Sequence, residues 1–181
     1  MTTFQVQLET LLASFTSVAA FMQLRWSWPA AESLHFIGLT LLMGSIATWD
    51  LRLLGFLPES PVTAFHRLVP FAVLGFGINA ATGMLFLVTF PNQYVYNAAF
   101  HLKILCLLLA GVNVAFFYLV VFRRLRDAPG GPPPVLARLS GAISLALWIT
   151  VIVCGRMITF FRPPICTPER AVAFIADCIV R

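Results

Sequence analysis

Charged residues are scarce in this sequence. Only 10% of its 181 residues are charged and 60% are hydrophobic, whereas soluble domains carry about 25% charged residues. A chain with so little charge cannot cover a water-exposed surface, and helices are the simplest structure that satisfies every backbone hydrogen bond inside lipid. We therefore expect an all-α membrane protein.

Several catalytic and binding motifs are also missing. The sequence contains no glycine-rich phosphate loop, no Gly-x-Ser-x-Gly, no His-Glu-x-x-His and no Cys-x-x-Cys. Hydrolase and nucleotide-dependent activities are therefore not expected. The basic residues lie at the ends of apolar runs and form no face with exposed aromatic residues, so nucleic acid is not an expected partner.

Four apolar runs are long enough to cross a bilayer, which takes about 20 residues in a helix. We predict one membrane domain, residues 1–181, built as a four-transmembrane-helix bundle in the lipid bilayer. The transmembrane helices are predicted at residues 30–57, 68–90, 97–122 and 135–161. Amphipathic interfacial helices are predicted at both termini, at residues 4–24 and 168–180.

The arginines predict the orientation of the bundle. Arg52 and Arg67 lie at one end of the first two spans, and Arg123, Arg124 and Arg126 lie between the third and fourth spans, at that same end. Arginines collect in cytoplasmic loops. We therefore predict a multi-pass protein of the bacterial inner membrane with both termini in the periplasm.

Two histidines are predicted at matching depth, His35 in the first span and His101 in the third. Two imidazoles from different helices at one level can hold the iron of a haem b. Gly38, one turn from His35, would let the porphyrin approach its helix, and Arg156 and Trp28 are predicted to line the site. The alternative is a pair of interfacial histidines that only form hydrogen bonds.

A haem iron with two histidine ligands has no free position for a substrate. We therefore predict electron transfer at the periplasmic face, to or from a quinone or a periplasmic electron carrier. Arg156 is expected to contact an anionic group of the haem or to pair with Glu32, which lies at comparable depth.

Copper is an alternative to haem. The candidate ligands are His35 and His101 with the sulfur atoms of Cys106, Cys154 and Met157, because thiolates and thioethers select Cu(I). Cysteine and methionine are also ordinary packing residues. A third interpretation is a structural or accessory subunit, as a homodimer or within a larger membrane complex.

Polar and small residues inside the spans predict helix contacts. Gly75, Asn79 and Gly83 repeat every four residues, so the second span is expected to meet a neighbouring helix closely along this stripe. Asp50 and Arg52 are predicted to form a charge pair at the cytoplasmic end.

Cys166 and Cys178 flank the predicted tail helix on the periplasmic side, where disulfides persist. A straight helix between them would hold them about 15 Å apart, beyond the reach of a disulfide. Whether they pair therefore depends on the chain turning back, and the sequence leaves this open.

Five stretches carry a family resemblance: Glu32–Gly44, Trp49–Gly55, Thr82–Phe86, Phe100–Ile104 and Leu147–Arg156. On these stretches the chain resembles a family of short bacterial membrane proteins of unknown function. That family is distantly similar to CopD-type copper-resistance membrane proteins and to four-helix b-type cytochromes. The resemblance implies haem or copper near the outer face, with His35 and His101 as ligands.

Overall fold

The computed structural model describes residues 3–56, 62–122, 125 and 133–161. The described chain is 88% helical and contains no strand, which confirms the all-α fold. In chain order, its α-helices are α1 (Thr3–Ala13), α2 (Thr16–Met22), α3 (Ser27–Leu54), α4 (Val69–Thr89), α5 (Pro91–Val95), α6 (Ala98–Phe116) and α7 (Val135–Met157).

Four helical segments are long and apolar enough to cross a membrane, as predicted: Ser27–Leu54, Ala64–Thr89, Ala98–Val121 and Val135–Met157. In the second segment, a 3-10 helix at Val62–Leu68 precedes α4, and Pro70 lies in the first turn of α4. Proline is favoured there because its missing N–H would have no partner in a first turn. The third segment ends in a π-helical turn at Phe117–Val121.

The spanning helices run alternately in opposite directions. His35 near the beginning of α3 contacts Thr82 near the end of α4, and Asn97 before α6 bonds to Ile158 after α7. We call the half of the bundle that contains these four residues the upper half. The lower half contains the end of α3, the beginnings of α4 and α7, and the end of α6.

Glycines let α3 and α4 come close together. A Cβ atom built on Gly75 would lie 2.6 Å from the carbonyl oxygen of Gly38, and one built on Gly38 would lie 2.7 Å from Nδ2 of Asn79. No larger residue fits at such a distance without moving a helix. Gly83, on the same face of α4, lies beside the ring of His35. The predicted close contact along this stripe is therefore confirmed.

The remaining helix contacts leave one side of the bundle open. α7 packs against both α3 and α6, whereas among the described helices neither α3 and α6 nor α4 and α6 make an extensive contact. An apolar layer fills the centre at mid-depth and consists of Leu42, Cys106, Ala110, Trp148 and Val151. Below this apolar layer, the space between α4 and α6 forms a cavity.

The N-terminal segment, predicted as one helix over residues 4–24, consists of two helices with a break at Ser14 and Phe15. The Ser14 hydroxyl donates to the carbonyl oxygen of Leu11 at 2.6 Å, and such local bonds compete with helix continuation. The two helices and the break between them expose large apolar side chains, as contact with lipid requires: Phe4, Leu11, Phe15 and Phe21.

Some predictions fall on residues that the structure does not describe. The predicted tail helix at 168–180 lies outside the described residues, as do Cys166 and Cys178. The loop arginines, Arg123, Arg124 and Arg126, also lie outside them. The predictions on these residues stay predictions.

Candidate functional site

His35 lies in the upper half, where α3 meets α4. Its Nδ1 is 2.7 Å from Oγ1 of Thr82, and that oxygen is also 2.7 Å from the carbonyl oxygen of Ile78. The carbonyl can only accept, so the single hydroxyl hydrogen goes to Ile78 and the hydroxyl accepts from His35. Nδ1 of the neutral ring therefore carries the proton, and Nε2 has a free lone pair. No residue in the described ranges forms a hydrogen bond with Nε2.

His101 is exposed in the first part of α6. Its Nε2 lies 2.8 Å from the carbonyl oxygen of Val95, at the end of α5, so Nε2 is the protonated donor. The two rings therefore form hydrogen bonds with different helices, His35 with α4 and His101 with α5. An iron ligated by Nε2 of both rings would require His101 to release Val95. The histidine pair stays a prediction.

Two further residues of the predicted haem site lie on the α4 side of α3. The space beside Gly38 is filled by the side chains of Asn79 and Ile78, so this glycine allows the approach of α4 where the sequence predicted the approach of a porphyrin. The ring centroids of Trp28 and Phe86 lie 4.9 Å apart, and those of Phe86 and His35 lie 5.6 Å apart. Trp28 and His35 therefore share an aromatic neighbour.

Arg156, near the upper end of α7, is exposed. Its guanidinium lies 5.2 Å from the centroid of the Phe160 ring, which is a cation–π distance. Among the residues that the structure describes, Arg156 forms no ion pair with Glu32. In the described chain, the guanidinium of Arg156 therefore contacts the ring of Phe160.

Lys103 was missed by the sequence reasoning. It is the only lysine in the chain and lies within the apolar part of α6, where it is partly buried. Its amine would lie 3.5 Å from a Cβ atom built on Gly155 of α7, and it is close enough to interact electrostatically with His35 and Cys154. An ionisable residue inside a span marks a functional site by default, and this signal was available in the sequence.

The sulfur-containing residues of the copper hypothesis differ in burial. Cys106 and Cys154 are buried and form no disulfide, whereas Met157 is exposed. Within residues 3–56, 62–122 and 133–161, no three His, Cys, Asp or Glu side chains lie close enough together to hold a metal ion. Methionine is not one of these residue types, so the copper site with Met157 stays a prediction.

The lower half contains a cavity of about 360 Å³. Pockets for small molecules have volumes of about 300–1,000 Å³, so the cavity is large enough for a small ring system. α3, α4, α6 and α7 all contribute to its wall. Most wall residues are apolar, among them Ile46, Ala72, Phe76, Leu107, Val114 and Phe117.

Residues with polar groups interrupt this apolar wall: Ser45, Trp49, Asp50, Asn113, Tyr118, Ser140, Ser144 and Trp148. Asn113 and Ser140 satisfy each other through two hydrogen bonds of 3.1 Å. Oδ2 of Asp50 is buried without a hydrogen-bond partner among the described residues, as is Nε1 of Trp148. One carboxyl oxygen and one indole N–H thus remain unsatisfied in residues that line the same cavity.

Comparison with known proteins gives a family and no function. No curated protein and no solved structure matches the chain, and nothing found supports the distant similarity to CopD-type proteins or b-type cytochromes. The model of a family of unknown function, DUF6644, matches residues 27–161. This range includes all four spanning helices, the histidines His35 and His101, and the residues that line the lower cavity. The chain belongs to this family of unknown function, DUF6644.

Proposed function

We propose that the protein binds a lipid-soluble compound of the quinone class in the lower cavity. The observation that carries this proposal is the pair of unpartnered buried atoms, Oδ2 of Asp50 and Nε1 of Trp148, in residues that line a mostly apolar cavity. An unsatisfied buried polar group costs roughly 1–3 kcal/mol. Both atoms lie beneath the cavity surface, so an occupant that draws the two side chains toward it and bonds to both atoms would stabilise the bundle while it is bound.

The two unpartnered atoms favour a ligand that carries oxygen. The indole N–H of Trp148 can only donate, so it requires an acceptor such as a quinone carbonyl. The carboxyl group of Asp50 accepts from a quinol hydroxyl when ionised and donates to a carbonyl when protonated. A cavity of about 360 Å³ accommodates the ring of such a compound, and a long apolar tail must extend outside it.

The open side of the bundle offers a route for that tail. α4 and α6 line opposite sides of the cavity without an extensive contact. Val73, Phe76 and Val114 line the cavity and are 65%, 48% and 45% exposed, so the opening is apolar and faces the bilayer. A ligand dissolved in lipid can therefore enter sideways without crossing water.

A quinone-class ligand implies a role in electron transfer. In the predicted orientation, both termini lie in the periplasm of a bacterium and the lower half faces the cytoplasm. The quinone ring would then be bound on the cytoplasmic side of the inner membrane. The protein would present or store the carrier, alone, as a homodimer or within a larger membrane complex.

The test is quinone binding to protein purified into lipid nanodiscs. Equilibrium dialysis with a short-tailed quinone should give saturable binding at one site per chain. Asp50→Leu and Trp148→Phe should each weaken binding roughly five- to a hundredfold, because each removes one bond to the ligand. Trp28→Phe, in the upper half, is the matched control and should leave the affinity unchanged.

Two results would contradict the proposal. The first is equal affinity for an apolar compound of the same size without oxygen atoms, which would leave no role for Asp50 and Trp148. The second is unchanged quinone affinity in Trp148→Phe despite correct folding, since the indole N–H is the donor on which the assignment rests.

A second candidate function is electron transfer by one haem b in the upper half. Its support is His35, whose Nε2 lone pair is free while Thr82 holds Nδ1, as a second-sphere partner holds a metal-ligating histidine. His35 would bind the iron, Thr82 would orient the ring, and His101 would follow as second ligand after releasing Val95. Bound haem would supply one-electron redox chemistry.

An absorbance spectrum of the purified protein separates the candidates. A reduced α-band that disappears in His35→Ala supports haem. Stoichiometric copper without that band supports the copper alternative, for which Cys106 and Cys154 are the sulfur ligands to replace. If the purified protein contains no chromophore and no metal but a second membrane protein co-purifies with it, the result supports an accessory subunit.

A further inference from the structure

Ser45 is a polar residue of the lower cavity that has no role in the proposed function. It lies on α3, lines the cavity and is only 7% exposed. Two other hydroxyls of α3 bond to the preceding turn, because Thr40 donates to the carbonyl oxygen of Phe36 and Thr48 to that of Gly44. The Ser45 hydroxyl forms no hydrogen bond within the described part of the chain. A buried hydroxyl without a partner is costly, so an occupant of the cavity that bonds to it would be stabilised.

The contact between α3 and α7 gives the relative depth of Ser45, Asp50 and Trp148. A Cβ atom built on Gly141 would lie 3.2 Å from the carbonyl oxygen of Asp50 and 3.6 Å from its Cα atom, so Asp50 and Gly141 lie at one level. Trp148 follows Gly141 by seven residues and lies roughly 10 Å above it along α7. Ser45 precedes Asp50 by five residues and lies roughly 7 Å above it along α3. Ser45 and Trp148 therefore lie at similar depth, well above Asp50.

The directions of the two helices bring these side chains toward one space. Side chains of an α-helix lean toward its N-terminus. α3 begins in the upper half, so Asp50 leans upward, whereas α7 begins in the lower half, so Trp148 leans downward. An occupant of the cavity between them therefore meets the indole N–H and the Ser45 hydroxyl at its upper end and the Asp50 carboxyl at its lower end.

We propose that the bound ring carries its two oxygen atoms at opposite ends, as a para-quinone does, and that Ser45 and Trp148 together hold the upper oxygen. This assignment rests on the proposed function. A carbonyl oxygen has two lone pairs, so it accepts from the indole N–H and from the serine hydroxyl at once. The lower carbonyl oxygen accepts from the Asp50 carboxyl in its protonated form.

The same three residues also fit the reduced, quinol form of the ligand. The upper quinol hydroxyl accepts from Trp148 and donates to the oxygen of Ser45, because a serine hydroxyl can reverse its role. The lower quinol hydroxyl donates to the ionised Asp50 carboxylate. Each bond has one donor and one acceptor in both forms. An ortho-quinone, with both oxygens on one side of its ring, would leave one end of the site unsatisfied.

Two isomeric quinones provide the test. α-Lapachone and β-lapachone share a three-ring skeleton and differ in whether their quinone oxygens are para or ortho to each other. Equilibrium dialysis against wild-type protein in lipid nanodiscs should give at least about tenfold tighter binding of the para isomer, because it gains a bond at the far end of the cavity. Ser45→Ala removes one neutral hydrogen bond and should weaken binding of the para isomer roughly three- to tenfold.

Ser33→Ala is the matched control. It removes another hydroxyl of α3, which is exposed, lies in the upper half and bonds to the carbonyl oxygen of Pro29. Its affinity for the para isomer should equal that of the wild type. Thermal unfolding of both variants shows whether each is folded, and the comparison of isomers needs only the wild-type protein.

The possible failures separate the two proposals. Equal affinity of the wild type for both isomers, or unchanged affinity in folded Ser45→Ala, overturns the para assignment or the role of Ser45. If Asp50→Leu and Trp148→Phe still weaken binding in that case, the proposed function itself stands. If the wild-type protein binds neither isomer nor the short-tailed quinone, both proposals are overturned.

Discussion

Asn97 joins the upper ends of two spanning helices. Its Oδ1 caps α6 by accepting from the backbone N–H of Ala99 at 2.9 Å, and its Nδ2 donates to the carbonyl oxygens of Ile158 and Phe161 at 3.0 and 2.9 Å. The side chain is only 1% exposed. One residue thus satisfies the free N–H groups at the beginning of α6 and the free carbonyl groups after α7.

We expect Asn97→Ala to lower the free energy of unfolding by about 2–4 kcal/mol, because it removes a helix cap and two buried bonds. Thermal unfolding in detergent measures the change. Asn97→Asp is the control: it keeps the capping oxygen and loses only the two donated bonds, so its loss should be intermediate. Equal stability of Asn97→Ala and the wild type would show that water replaces these bonds.

Tyr96 holds α1 against the bundle. Its hydroxyl donates to a carboxylate oxygen of Glu9 at 2.7 Å. Burial, together with the hydrogen bond and the negative charge of Glu9, raises the pKa of Tyr96 from 10.0 to about 12. A raised pKa means that the fold favours the protonated phenol, so its stabilising effect is complete below pH 10 and is lost as the pH rises through 12.

Tyr96→Phe should therefore be less stable than the wild type by about 1–2 kcal/mol near neutral pH, and the difference should vanish above pH 12. Denaturation of both proteins over a pH series measures this difference, and hydrogen exchange in α1 reports whether the helix detaches. A difference that stays constant up to the highest pH would mean that packing of the ring, and not its hydroxyl bond, stabilises α1.

At the scale of the helices, the α3–α4 contact depends on glycine at particular positions. Gly75→Ala would place a methyl group 2.6 Å from backbone atoms of α3, so the two helices must separate. Gly77 belongs to the same helix but has no atom within 4 Å of an added Cβ. The two positions therefore form a matched pair.

We expect Gly75→Ala to lower the unfolding temperature, at a cost of about 1–3 kcal/mol. Gly77→Ala should be neutral or stabilising by about 0.5–1 kcal/mol, because alanine favours the helix. Unfolding of the two variants in the same detergent gives the comparison. Equal effects would show that helix propensity, and not contact between α3 and α4, governs this face.

The spans and the glycine stripe could be predicted because both depend on local patterns. Apolar length defines a span, and the four-residue repeat of Gly75, Asn79 and Gly83 lies on one helix. The direction of His101 could not be predicted, because it depends on the free carbonyl oxygen of Val95 at the end of a short helix. Equal depth in the membrane does not make two helices neighbours.

The lower cavity depends on a missing contact, which no sequence pattern reports. α4 and α6 stay apart while α7 packs against α3 and α6. The sequence predicted Asp50 as one member of a charge pair with Arg52 and did not predict its position in the cavity wall, which also contains Ser144. Only the three-dimensional arrangement leaves Oδ2 of Asp50 without a partner.

At the scale of the whole molecule, the beginning of the first span and the end of the fourth lie at the same, upper end of the bundle. The arginine distribution predicts that this side is the periplasm. Fusions of alkaline phosphatase, which is active only outside the cytoplasm, to the C-terminus should be active. A fusion placed after residue 126 should be inactive. The reverse pattern would invert the bundle and move the lower cavity to the periplasmic side.

The central claim is that the lower cavity holds a lipid-soluble carrier, and native mass spectrometry of the protein released from membranes tests it most directly. We expect one bound quinone-class molecule per chain. It should be lost in Ala72→Phe, which fills the cavity, and retained in Ala80→Phe, which adds the same side chain to an exposed position of α4. Protein without a bound carrier, or a carrier equally present in both variants, would contradict the account.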